Sequence, residues 1–121
     1  SFVTALAARA RERSGNPDFG IFPQNGETLG KYPKYLATVS GLGREDVWYD
    51  GDTENLPAEA ATGVADLQRF RAAGKLVLVI DYPTRPELQR EFHRRARAAG
   101  FVPYAAPRAL DRLVVIPGLQ P

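Results

Sequence analysis

The chain has 121 residues, 44% of them apolar and 25% charged, with a formal net charge of +2 and neither cysteine nor methionine. That is chain enough for one small domain with a core, and it excludes a disordered composition, a disulfide framework and a thiolate metal site. No run reaches the roughly 20 apolar residues that cross a bilayer, so no membrane span is expected, and the lack of methionine leads us to expect further sequence upstream of Ser1.

Along the chain, Phe2, Val3, Leu6, Ala7 and Ala10 share one face at helical spacing, which predicts a helix over residues 1–13, stopped by the Ser14-Gly15-Asn16-Pro17 cluster. The apolar run Phe19–Pro23 reads as a strand, followed by the loop Gln24-Asn25-Gly26 and a helix starting near Pro33 that carries Tyr35, Leu36 and Val39 inward. Residues 40–49 combine a strand with an acidic, aromatic end. Residues 50–57 are rich in turn formers, and 58–73 read as a helix with Gly74 as its stop. Leu76–Ile80 is an unbroken aliphatic run ended by Asp81, the pattern of a buried parallel strand. Thr84 with Glu87 suggests a capping box for a helix carrying Leu88, Phe92, Ala96 and Ala99 to Gly100, and Phe101–Tyr104 reads as the next strand. Residues 110–116 are expected to add a helical turn or an edge strand.

This alternation predicts a single α/β segment, 1–121, with a parallel sheet. The pattern fits either a doubly wound sheet, such as a flavodoxin-like binder, or the latter part of an eight-unit barrel. The arginines concentrate in two helical stretches where acids share the segment and aromatics are not interleaved, so they read as solvated helix faces, with no nucleic-acid partner. His93 lies among Arg90, Arg94 and Arg95 and reads as a solvated helix residue. No histidine cluster, phosphate loop or nucleophile elbow occurs, so neither a metal nor a cofactor is expected.

In parallel α/β folds, chemistry collects just beyond the C-terminal ends of the strands. The positions so selected are Gln24 and Asn25, then Glu45, Asp46 and Tyr49, then Asp81 and Tyr82, then Pro107 and Arg108. Asp81 is either a site residue or an acceptor that caps the next loop. Trp48 is read as core and Tyr49 as a residue able to stack on a sugar. Glu45, Asp46, Asp50, Asp52 and Glu54 put five acids into ten residues, a field suited to a cationic polymer unless it is a solvated loop. Asp46 beside Glu45 is expected to raise the pKa of Glu45 and fit it for a general acid.

The segments Phe22-Pro23-Gln24-Asn25-Gly26-Glu27, Gly41-Leu42-Gly43-Arg44-Glu45-Asp46-Val47-Trp48-Tyr49 and Val77-Leu78-Val79-Ile80-Asp81-Tyr82-Pro83, with Gly100-Phe101-Val102-Pro103-Tyr104, resemble the second half of glycoside hydrolase family 114. The resemblance implies the C-terminal (βα)4 half of a (β/α)8 TIM barrel and endo-hydrolysis of α-1,4-linked galactosamine-containing polysaccharide. It implies that Glu45 is a catalytic carboxylic acid and that Asn25, Asp81 and Tyr82 contact sugar. A second carboxylate would then precede Ser1, the partner would be an N-terminal half-barrel or a second copy, and the protein would be secreted or envelope-associated. A non-catalytic carbohydrate-binding or half-barrel assembly module is the alternative.

Overall fold

The computed structural model describes residues 1–120. Helix α1 (Phe2–Ser14) is capped by the Ser1 hydroxyl and ends at Gly15, whose φ of 65° is the left-handed turn that favours glycine. A 3-10 turn (Glu27–Lys31) leads into α2 (Pro33–Thr38), which begins with proline at the position that needs no amide donor. Strand β1 (Gly41–Glu45) is followed by a two-residue hairpin, β2 (Tyr49–Asp50) and β3 (Thr53–Glu54). Then come α3 (Pro57–Ala72), β4 (Leu76–Asp81), α4 (Pro86–Ala98) and β5 (Val102–Ala105).

β1, β4 and β5 form a parallel sheet in the order β1-β4-β5, and β2-β3 form a separate antiparallel pair. The spatial order follows the chain order, so right-handed crossovers put α3 and α4 on the same face. A doubly wound sheet reverses its strand order at a switch point, and these three strands show no reversal. Leu42, Val77, Val79 and Ala105 point to the helix face and join Leu67 and Phe70 of α3 and Phe92 and Ala96 of α4 in the core. On the opposite face Leu78, Ile80, Val102 and Tyr104 are only half-buried.

Several expectations change. Phe19–Pro23 is not a regular strand. It is an extended segment laid along β1, joined by the Gly43 N–H to the Pro23 carbonyl (2.9 Å), the Ser40 N–H to the Ile21 carbonyl (2.8 Å) and one bridge, Gln24 to Gly43. Pro23 has no amide to donate and the Ile21 N–H is taken by the Ser40 hydroxyl, so a continuous ladder cannot form. Thr84 does not cap α4. Arg85 occupies the cap position without a side-chain bond, and the Thr84 hydroxyl and amide both go to Asp52 (2.6 Å each). His93 is buried at 2% exposure, its Nδ1 3.0 Å from the Gln89 carbonyl, and burial holds its pKa below the ordinary histidine value. Residues 110–116 form no regular element; they are tied back by the Val114 amide, which donates to the Tyr104 hydroxyl (2.9 Å). Trp48 is core, edge-on to Phe92 at 6.0 Å.

Candidate active site

Successive residues of a strand face opposite sides of the sheet, and residues paired in a parallel register share a side. Glu45, the last residue of β1, pairs with Ile80, so it stands on the face away from the helices, and Tyr82 two residues beyond Ile80 stands there too. The Tyr82 hydroxyl donates to Glu45 Oε2 at 2.5 Å. Gln24 Nε2 donates to Glu45 Oε1 at 2.9 Å. Gly43 permits this second bond, because a Cβ there would overlap the Gln24 amide where it crosses β1.

The backbone at Glu45 is held as firmly as its carboxylate. Asn25, in left-handed backbone at φ 60°, accepts the Glu45 N–H on Oδ1 (3.2 Å) and sends its own N–H to the Gly43 carbonyl (2.7 Å). Arg44 donates to the Glu45 carbonyl (2.6 Å) and pairs with Glu27 (3.0 Å). The hydrogen bonds from Tyr82 and then Gln24 hold the Glu45 carboxyl below its ordinary pKa, while burial and the Glu45 carboxylate push the Tyr82 phenol up. The expected upward shift of Glu45 through Asp46 is therefore corrected. Asp46 takes left-handed backbone at φ 51° and sends its carboxylate to Arg108 (3.3 Å).

Asp81 lies one residue out of phase with Tyr82 and so faces the helices, with no exposed surface. Its carboxylate accepts the backbone N–H groups of Val47 (2.8 Å), Trp48 (2.8 Å) and Tyr49 (2.9 Å), which folds the chain between β1 and β2 back over the core. Burial pushes its pKa up to about 6, against the opposing pull of those three donors. Of its two sequence readings, a structural acceptor describes this geometry, but the loop it holds is the one after β1 and not the one that follows Asp81. Tyr49 does not stand at the mouth. It is 2% exposed, with the Arg95 guanidinium 5.5 Å from its ring centroid, because hairpin pairing with Glu54 turns it into the core.

The five acids do not form an open field. Asp46 and Asp50 pair with Arg108, Asp52 is bound by Thr84, and Glu54 pairs with Arg95 at 2.7 Å. Arg108, which strand-end position had selected without a role, lies with its guanidinium 4.1 Å from the Tyr82 ring centroid. Gln24 had likewise been selected without a role, and its bond to Glu45 requires knowing that residues 21–25 run beside β1. The structure thus brings together Glu45, Tyr82, Gln24 and Asn25, with Asp46 alongside through Arg108, and leaves Asp81 and Tyr49 inside. Among the described residues no group of three or more His, Asp or Glu side chains is placed to hold a metal ion, and no helix is long and apolar enough to cross a membrane.

No protein-family model matches the chain. An uncharacterised protein of Deinococcus radiodurans is 38% identical over 118 residues, covering 95% of this chain and 37% of its own length. Uncharacterised proteins of Methanocaldococcus jannaschii and Thermotoga maritima are 36% and 32% identical over 93% and 100% of this chain. The chain thus spans 36 to 40% of the length of these relatives. Among solved structures, the glycoside hydrolase domain of PelA from Pseudomonas aeruginosa superposes with a TM-score of 0.65 at 24% identity, over 93% of this chain and 46% of that one. This mixed α/β chain, with its sequential parallel sheet, is similar in fold to a glycoside hydrolase domain.

Proposed function

We propose that this chain is the C-terminal (βα)4 half of a (β/α)8 glycosidase barrel and that Glu45 is one of the two carboxylates that cleave the glycosidic bond. The observation that carries this reading is the pair made by Glu45 and Tyr82 at the C-terminal ends of adjacent parallel strands, on the face turned away from the helices. That face is the interior when such a sheet closes into a barrel, and strand C-termini are where barrel enzymes place their chemistry. Similarity to a glycoside hydrolase domain supports the same class of reaction.

Glycoside hydrolysis uses two carboxyl groups across the scissile bond, one protonating the leaving oxygen and the other acting as nucleophile or base. With its pKa held down by two neutral donors, Glu45 is ionised near neutral pH, which suits the nucleophile or base. The acid is then a second carboxyl contributed from outside this segment. Tyr82 and Gln24 occupy one lone pair on each oxygen and so fix which lone pairs face the substrate. By the family resemblance, the substrate is an α-1,4-linked galactosamine-containing polysaccharide met outside the cell or in its envelope. Asn25 acts by holding the Glu45 amide.

The half-buried face carrying Leu78, Ile80, Val102 and Tyr104 favours a second reading, a module whose work is assembly with an N-terminal half-barrel or a second copy, or carbohydrate binding without cleavage. The test is the release of reducing ends from an α-1,4-galactosamine polymer by a full-length protein that carries this segment, beside the 121-residue chain alone. We expect cleavage by the former only. Binding of the polymer with no cleavage by either would favour the module.

A further inference from the structure

The loop after β5 brings a residue to Glu45 that the reaction above does not use. The Ala106 N–H donates to the Asp81 carbonyl (3.0 Å), which extends the sheet ladder one step past β5, and Pro107 and a turn closed by the Leu110 amide (3.0 Å) then set the direction of Arg108. Its guanidinium lies 4.1 Å from the Tyr82 ring centroid and pairs with Asp46 and with Asp50. Arginine is suited to this arrangement, since its flat cation stacks on a ring while its edge meets carboxylates.

We propose that Arg108 is a positioning residue for Glu45: braced by Asp46 and Asp50, its guanidinium stacks on the Tyr82 ring and keeps the phenol hydroxyl on the carboxylate. Tyr82 is 3% exposed, and the guanidinium lies over its ring. A cation over the ring draws density from the phenol oxygen, which strengthens the hydroxyl as a donor to Glu45. The other groups around Glu45 are Gln24 and Asn25 from the preceding loop, Arg44 on its own strand, which is committed to Glu27, and Asp46, which is committed to Arg108. Arg108 acts in the direction of lowering the pKa of both Glu45 and Tyr82.

The inference rests on reading Glu45 as the reactive carboxylate, but its test needs no substrate, so failure of hydrolysis and failure of the positioning role are separately visible. The experiment is a carbon-13 NMR titration of the Glu45 carboxyl and the Tyr82 ring in the 121-residue chain. Arg108→Gln is expected to raise the Glu45 midpoint by about 0.5 pH unit and to shift the Tyr82 ring signals. Arg108→Lys, which keeps charge but not the flat stack, is expected to recover only part of the shift. Arg112→Gln, whose pairing is with Asp111, is expected to leave Glu45 unchanged. Asp50→Asn separates position from charge: removing a carboxylate would on charge alone lower the Glu45 midpoint, whereas removing the brace on Arg108 raises it. Asp50 is 69% exposed, so this variant carries the test even if Arg108→Gln does not fold. A Glu45 midpoint that falls in Asp50→Asn, or stays within error of the parent in Arg108→Gln, would overturn the proposal.

Discussion

Glu45 owes its state to two neutral donors. Because its folded pKa is depressed, the stabilisation from Tyr82 and Gln24 is present above the ordinary glutamate pKa and is lost as pH falls through the lowered value. Tyr82→Phe removes the first of these donors while keeping the ring beneath Arg108, so the Glu45 midpoint should rise toward the ordinary glutamate range, read by carbon-13 NMR. An unchanged midpoint would mean that the hydroxyl does not govern the carboxylate. At this scale the candidate site was partly legible in the sequence. Strand-end position selected Glu45 and Tyr82, but it also selected Asp81, since adjacent residues share a position along the strand and differ only in face. Strict alternation separates them: Val77, Val79 and Asp81 are one set and Leu78, Ile80 and Tyr82 the other. The aliphatic run hides that alternation, because both faces of β4 are apolar.

At the scale of elements, Asp81 is the bond between the sheet and the hairpin. Its three acceptor contacts hold Val47, Trp48 and Tyr49, and with them the indole packed on Phe92. Asp81→Asn puts an amide donor where an acceptor meets backbone N–H groups, and it should cost about 2 to 3 kcal/mol in denaturant unfolding. The pH dependence has a sign as well. With a folded pKa of about 6 against 3.8 for the free side chain, the native state keeps a proton that the unfolded chain has released. The contribution of this group to stability is therefore full below the lower value and falls as pH rises through the upper one, and that dependence should vanish in Asp81→Asn. Stability flat across this window in the parent chain would contradict it. Helices α1 and α4 were readable from apolar spacing and glycine stops and α3 from its glycine stop, while the start of α4 was hidden because Thr84 bonds Asp52 instead of capping the helix. The short elements were not: a two-residue hairpin and a 3-10 turn leave no periodicity. The Phe19–Pro23 segment has strand composition, but Pro23 and the Ser40 hydroxyl take up its ladder positions.

For the whole molecule, the order β1-β4-β5 with both crossovers on one side produces a sheet with a well-packed face and a half-buried one. A parallel sheet is stable with both faces covered, so the Leu78, Ile80, Val102 and Tyr104 face is expected to find a partner surface. Sedimentation should therefore show concentration-dependent association of the isolated 13.3 kDa chain, weakened by Ile80→Lys. A monomer at every concentration tested would mean that this face needs no cover. The alternation of elements made the parallel sheet legible, yet the order of strands within it is a tertiary property that no residue pattern displays. The role of Glu45 is tested by the rate of glycosidic cleavage by a full-length protein carrying this segment, compared with its Glu45→Gln variant. A catalytic Glu45 predicts a loss of at least about 1,000-fold in kcat with little change in polymer binding, and cleavage that persists in Glu45→Gln would contradict that role.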